Sequence, residues 1–371
     1  NKKLIRDTIR MLYGKVIKGK LSRTKITTDK LDDVLDIFIR VNSGGIKLSK
    51  ADLLFSTIVS KWEDAREEVD DLIKLLQGKG YYFNTDFIMR TCLMLTDNPI
   101  LFKVEVFNKK SIRNIIVKWD HIKHSIRRTI ELLRKWGISD EVIKSKNSII
   151  PIIYFMSKNH KTITSTDEDD LRKYLITVNL KNIYSSHGDR VLENMRNFLS
   201  KTKVFRFNEL INGDYFGQYG EKSLLISKVE SDEWFNLKKG KKTYMILSLI
   251  YNISDQFDFQ QDHIHADNLF NSEKLKRLGL PESQIEKMID SKDLLPNLEL
   301  LPQRENAQKQ DLSFSEFLNR FHKSKDRREE FYKKHFIPSE TSLELKDSQK
   351  FFEKRKKILE KKIYEKFDII D

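Results

Sequence analysis

Residues that break helices are scarce in this chain, which has only 13 Gly and 6 Pro among 371 residues. Leu, Ile, Lys and Glu, which suit helices, are plentiful. Apolar residues recur with helical spacing at several places, most clearly between Ser111 and Trp136. We therefore predict a mainly α-helical (α+β) fold, with a helical array from about residue 63 to residue 203.

Two short segments near the C-terminus depart from the helical spacing. Residues 257–264 alternate loosely between apolar and polar, and Leu298–Leu301 is a short apolar run. We predict a strand at each segment and a helix from Asn306 onward. A basic, Gly-containing link at 238–242 marks a boundary. The predicted regions are 1–65, 66–237 and 238–371.

The charge of the chain favours a polyanionic partner. Lys and Arg exceed Asp and Glu by 14, and the first thirty residues are especially basic. Cationic side chains that neutralise phosphates release counterions, which favours binding to nucleic acid. A solvated helix surface is the alternative for the N-terminal residues. The charge therefore predicts a polyanion as the partner.

Cysteine usage and hydropathy limit the class of protein. Cys92 is the only cysteine, which excludes an internal disulfide and a zinc site built from several thiolates. No apolar run is long enough to cross a bilayer, and no signal peptide is visible. We therefore expect a cytoplasmic protein without a membrane partner. Because the chain begins with Asn, we also expect further sequence upstream.

The region 262–309 contains the residue types that hydrolysis of a phosphodiester requires. His263 could accept a proton from water near neutral pH, and Asp262 and Asn306 offer oxygen ligands for Mg²⁺. Neighbouring residues on a regular strand point to opposite sides, so Asp262 and His263 need a turn to face one site. The segment that begins at Ala266 could provide that turn. The predicted order is strand, loop, strand, helix, which is the ββα-metal arrangement.

These residues resemble the HNH nuclease family. Its pattern of an acidic residue with His, an Asn that opens the second strand and an Asn on the helix matches Asp262, His263, Asn297 and Asn306. The resemblance implies that His263 is the general base and that Asp262 and Asn306 hold Mg²⁺ or Mn²⁺. It also implies that Asn297 fixes the loop that orients His263.

Three other residues are candidates for contacts to phosphate or DNA. Lys309 occupies a position where HNH helices often carry a basic residue, and Arg304 and His265 lie nearby in the sequence. The chain departs from many relatives in having Ala266 where they have Pro, which would loosen the loop. Alternatives for the region are a structural Asp–His pair, a zinc pair of His263 with His265, and an inactive HNH fold.

A second unusual string lies near the N-terminus, at Phe38–Gly45, with Leu48, Ser49 and Ala51–Leu53 after it. Paired glycines permit positive φ and close approach of a ligand to the backbone. An anion or nucleotide loop formed by this string would include Arg40, Asn42, Ser43, Gly44 and Gly45. A helix C-cap followed by a turn is the alternative.

The string resembles the end of the N-terminal domain of GmrS/GmrD-type modification-dependent (type IV) restriction endonucleases. That resemblance implies a remnant of a ParB/sulfiredoxin-like sensor domain at 1–65, associated with NTP hydrolysis. The family's Asp-Gly-Gln-Gln-Arg motif is absent from this sequence.

These resemblances imply a metal-dependent endonuclease that cuts double-stranded DNA, acts in anti-phage defence against modified DNA and is regulated by NTP. It would act as a homo-oligomer or with a partner subunit. The alternatives are a DNA-binding sensor or complex subunit whose HNH fold is inactive, and a helical scaffold that recruits other proteins.

Overall fold

The computed structural model describes residues 2–17, 27, 37, 50–100, 104–159, 163–213, 223–251, 253 and 259–369. Within these residues the chain forms seventeen α-helices and one two-stranded sheet, which confirms the predicted mainly helical fold. The string Arg40–Gly45 lies outside the described residues, as do residues 1, 18–26, 28–36 and 38–49 of the predicted ParB/sulfiredoxin-like remnant.

The helices divide into a long array and a C-terminal group. Helix α1 (Lys2–Ile17) precedes the array in the sequence. The array contains α2 (Lys50–Val59), α3 (Ala65–Gln77), α4 (Thr85–Leu95), α5 (Lys109–Lys135), α6 (Ile150–Lys158), α7 (Ser165–Leu180), α8 (Gly188–Ser200), α9 (Phe207–Asn212), α10 (Lys228–Glu233) and α11 (Lys241–Ile250). The C-terminal group contains β1 (Phe259–His263), α12 (Ser272–Lys276), α13 (Glu282–Ser291), β2 (Leu298–Pro302), α14 (Gln303–Lys309), α15 (Phe314–Phe321), α16 (Lys325–His335) and α17 (Ser348–Phe367).

The longest helix, α5, confirms the sequence prediction for residues 111–136. It begins after Asn108, whose side chain accepts hydrogen bonds from the backbone N–H groups of Lys110 and Ser111. Such an N-cap satisfies amides that have no partner within the helix. One stripe of the helix is buried, and its apolar members are Ile112, Ile115, Trp119, Ile122, Ile126, Ile130, Leu132 and Leu133.

A capping box begins α7. The Thr164 side chain accepts from the Asp167 backbone N–H, and the Asp167 carboxylate accepts from the Thr164 backbone. The same carboxylate accepts hydrogen bonds from the Phe205 backbone and from Arg206. Asp167 therefore joins the start of α7 to the segment that leads into α9.

The two strands pair antiparallel, with Phe259 opposite Pro302 and His263 opposite Leu298. Helices α12 and α13 lie between them in the sequence, and α14 begins directly after β2. The helix predicted around Asn306 therefore exists as α14, although the sequence did not predict α12 and α13. The order strand, intervening segment, strand and helix is present at residues 259–309.

Strand β2 lies between two hydrophobic cores. Leu298 and Leu300 belong to the core of the helical array, whereas Leu301 belongs to a second core with helices α12 to α17. Side chains alternate between the faces of a strand, so both faces of β2 are buried. Helix α11 packs in the array core, and α17 contributes to both cores, so the predicted boundary at residue 238 does not separate the two cores.

Candidate functional site

The side chains of β1 alternate between two different environments. On one face Asn306 donates a hydrogen bond to Gln260, with 2.6 Å from Nδ2 to Oε1, and Lys309 Nζ lies 2.7 Å from Asp262 Oδ2. Both partners belong to α14. On the other face Gln261 bonds to the start of α11, and His263 bonds to Asp293. Asp262 and His263 therefore point to opposite sides of the strand.

The His263 face carries a group of potential metal ligands. His263 Nε2 lies 2.9 Å from Asp293 Oδ1, and Asp267 stands beside them. One ligand atom from each of the three residues lies within 4.8 Å of the others. His263 is buried, Asp293 is half-buried and Asp267 is exposed, so the group opens to solvent on its acidic side.

Burial lowers the pKa of His263 below the usual range, although its hydrogen bond with Asp293 acts in the opposite direction. The nearby Lys239 charge also lowers this pKa. The imidazole is therefore neutral near pH 7, the form that accepts a proton or ligates a metal. In the described residues, no hydrogen bond of its Nδ1 atom is found.

Lys292 supplies a cation next to the two carboxylates. Its ammonium bonds to Asp267 Oδ1 and lies 3.9 Å from Asp293 Oδ2. The hydrogen bond from Lys292 lowers the pKa of Asp267, which keeps this carboxylate ionised. The group thus combines one neutral imidazole, two acidic side chains and a flanking ammonium.

Asn297 is a buried clamp between the segment after β1 and the segment before β2. Its Oδ1 accepts from the His265 backbone N–H at 2.9 Å, and its Nδ2 donates to the carbonyls of His265 and Lys292. The Ile264 N–H donates to the Asn297 carbonyl at 2.8 Å. With no exposed surface, the side chain positions the residues around His263 and cannot touch a substrate.

The opposite face of the sheet is filled by a chain of charged side chains. Lys309 Nζ lies 2.7 Å from Asp262, 2.6 Å from Glu299 Oε1 and 2.5 Å from the His263 carbonyl. Nδ1 of His335 lies 2.9 Å from the other Glu299 oxygen. Burial by itself would raise the pKa of Glu299, but Lys309 and His335 hold it below the usual range.

The predicted contact of Lys309 with phosphate is wrong. Lys309 is 1% exposed, and its three hydrogen-bonding positions are taken by oxygens of the chain. It neutralises a buried carboxylate and joins α14 to both strands.

The predicted DNA contact through His265 is also wrong. The ring is 1% exposed and packs against Phe314, Phe351 and Phe352, with centroids 5.1 to 6.0 Å away. Burial lowers the pKa of His265 to about 3, and its Nε2 has no hydrogen-bond partner. The zinc pair of His263 and His265 is equally excluded, since His265 is enclosed by these rings in the second core.

The structure does not bring the three predicted active residues to one site. Strand β1 pairs regularly through His263, so no turn rotates Asp262 toward the imidazole. Asp262 is paired with Lys309, whose ammonium lies 2.7 Å from Oδ2 and would repel a cation bound to the same carboxylate. Asn306 lies on the Asp262 face. Arg304, on the same helix, is exposed and remains a candidate for DNA contact.

Sequence reasoning missed Asp267, Asp293, Lys292 and Lys239, which surround His263. Asp293 precedes β2 and follows α13, a helix that the sequence did not predict. The sequence did contain a signal for this site, because Asp267 and Asp293 are acidic residues at the two ends of the segment between the strands. Antiparallel pairing brings such ends together, but the residues between them gave no indication of which face each side chain would occupy.

Comparison with protein-family models and with curated proteins gives no match for this chain. None of the described helices is both long enough and apolar enough to span a membrane. The function is therefore argued from the geometry around His263.

Proposed function

We propose that this chain hydrolyses phosphodiester bonds of DNA with a divalent metal ion held at His263, Asp267 and Asp293. The observation that carries the proposal is the convergence of these three potential ligands beside the end of β1, in an antiparallel ββα arrangement. The HNH-like order of residues and the net charge of +14 support the same substrate class.

The chemistry of the donor set fits a divalent ion. One imidazole nitrogen and two carboxylate oxygens suit Mn²⁺ well, and Mg²⁺ accepts the carboxylates. Three protein ligands would leave coordination positions for water and a phosphate oxygen. A bound ion would polarise the phosphate and lower the pKa of a coordinated water.

The residues of the chain have distinct roles in this proposal. The neutral His263 offers a nitrogen lone pair because its pKa lies below the usual range. The 2.9 Å contact of Asp293 with His263 Nε2 orients the imidazole, and an ion held by both residues would replace this hydrogen bond. Lys292, which bonds to Asp267, would supply a positive charge beside the group that can stabilise negative charge on a phosphate.

The proposal predicts that His263→Ala and Asp293→Asn each lower cleavage of supercoiled plasmid by about 100-fold or more. The assay uses Mg²⁺ or Mn²⁺, with modified and unmodified DNA as substrates. Asp290→Asn is the matched control, because Asp290 is an exposed carboxylate on α13 outside the ligand group, and this variant should cleave normally. If the His263 variant cleaves as fast as the wild type, or if no condition yields cleavage, the nuclease proposal fails.

A DNA-binding module with an inactive site is the second candidate. It is favoured by the contact between Lys292 and Asp267, which neutralises a carboxylate without any metal. This candidate predicts DNA binding that is unchanged in His263→Ala and Asp293→Asn, with no cleavage products from the wild type.

A further inference from the structure

A basic segment, Lys238–Lys242, lies next to the His263 group. We call this segment the lysine strap; it contains Lys238, Lys239, Gly240, Lys241 and Lys242, all of them exposed. Its first part runs beside the segment that precedes β2, where Lys238 and Leu294 form an isolated antiparallel bridge. Its last part is the first turn of α11.

Backbone hydrogen bonds attach the strap directly to the site. The Lys239 N–H donates to the carbonyl of Asp293 at 3.0 Å, so the strap is bonded to a residue of the proposed metal group. The Gly240 N–H donates to Gln261 Oε1 at 3.0 Å, two residues before His263 on β1. The strap therefore borders the same face of the sheet as His263.

Buried Thr243 holds the strap in one conformation. Its hydroxyl lies 3.0 Å from the Lys238 carbonyl and 2.8 Å from the Gly240 carbonyl, and it accepts a hydrogen bond from Gln261 Nε2 at 2.9 Å. These bonds involve the backbone and the two polar side chains, which leaves the lysine side chains outside the network. A rigid backbone lowers the entropy lost when a partner binds to the side chains.

The four strap ammoniums form no ion pair within the described residues, although the charge of Lys239 lowers the pKa of nearby Asp267. Among the residues that the structure describes, no salt bridge or hydrogen bond involves the side chain of Lys238, Lys239, Lys241 or Lys242. Four cations within five residues repel one another. A polyanion that neutralises several of them would relieve this repulsion.

We propose that the lysine strap binds the phosphodiester backbone of duplex DNA and aligns it with the His263 group. A five-residue segment spans at most about 15 Å, which is about four base-pair steps of duplex DNA. Four lysines can therefore contact successive phosphates beside the one that reacts. This inference rests on the proposed function, because it assumes that a phosphate reacts at the His263 group. Binding of DNA by the strap can nevertheless be measured without any cleavage.

The test compares two variants that lose the same charge. The first replaces Lys238, Lys239, Lys241 and Lys242 with Gln. The control variant replaces four other exposed lysines with Gln. They are Lys323, Lys325, Lys333 and Lys334, in or next to α16. Helix α16 packs in the second core and reaches the other face of the sheet, where His335 contacts Glu299. Thermal unfolding verifies that both variants keep the fold.

Affinity for a fluorescent 30-base-pair duplex is measured by anisotropy in EDTA at several salt concentrations. We expect the strap variant to bind at least about tenfold more weakly, with its salt slope reduced by about 3 to 4, because each of the four neutralised phosphates contributes about 0.9. The control variant should change the slope by less than about 1. Equal losses in both variants, an unchanged strap variant, or a wild type that does not bind DNA would each overturn the proposal.

A variant that keeps every charge tests whether DNA binding depends on the conformation of the strap as well as on its charge. Gln261→Met removes both hydrogen bonds between β1 and the strap region but leaves all four lysines in place. We expect it to weaken binding with little change in salt slope, and wild-type affinity would contradict the role of the rigid strap. If DNA binding depends on the strap but no metal yields cleavage, the nuclease proposal fails and the strap stands. If cleavage occurs and the strap variant binds DNA normally, the strap proposal fails and the nuclease proposal stands.

Discussion

At the residue scale, the decisive feature is that Asp262 and His263 have different neighbours although they are consecutive. Asp262 pairs with Lys309, and His263 pairs with Asp293. The sequence predicts both residues as active because it shows their types and order but not their faces. The regular pairing of β1 separates them, since a strand alternates its side chains.

The buried position of Lys309 leads to a prediction about stability. Lys309→Met should lower the free energy of unfolding by about 3–5 kcal/mol, because it leaves Glu299 buried and without its cation. Urea unfolding followed by circular dichroism measures the change. Lys325→Met, at an exposed lysine of α16, is the control and should change stability by less than about 0.5 kcal/mol.

A second readout separates this structural role from the sequence-based expectation for Lys309. A direct phosphate contact would give normal stability and a salt slope for DNA binding lowered by about 1. Observation of that pattern in Lys309→Met would contradict the buried ion pair.

At the element scale, much of the fold can be predicted from the sequence. The helices of the segment between the two strands cannot. The apolar stripe between Ser111 and Trp136 predicts α5. Both strands were also predicted, and they lie within two residues of the expected bounds. Helices α12 and α13 were not predicted, because α12 is only five residues long and both have mostly exposed surfaces.

The clamp by Asn297 predicts how this segment supports the site. Asn297→Ala removes three side-chain hydrogen bonds and leaves the His265 and Lys292 backbone groups without these partners. We expect metal affinity to fall by about 10-fold or more, since residues that orient ligands affect affinity nearly as much as the ligands do. Calorimetric titration with Mn²⁺ measures the change.

The control for this prediction is Asn271→Ala. Asn271 caps α12 by accepting from Glu273 and Lys274, so its loss affects a helix of the same segment without touching the clamp. Equal metal affinity in Asn297→Ala and the wild type would show that the segment is held by other contacts.

At the scale of the whole molecule, the site lies where the helical array meets the C-terminal group. Strand β2 contributes to both cores, and the strap links α11 of the array to Asp293. The sequence predicts the net charge and the helical content of such a molecule. It does not predict that Asp267, Asp293 and Lys239 surround His263, because this depends on contacts between distant segments that no local spacing encodes.

The most direct test of the account is which carboxylate of the chain holds the metal. Mn²⁺ binding is measured by calorimetry for Asp293→Asn and Asp262→Asn. Both variants change a carboxylate to an amide, but Asp293 lies on the His263 face of β1 and Asp262 lies on the Lys309 face. The account predicts that Asp293→Asn weakens binding by about 10- to 100-fold and that Asp262→Asn changes it by less than about threefold. Loss of binding in Asp262→Asn with normal binding in Asp293→Asn would contradict the account and restore the ligand set that the sequence predicts.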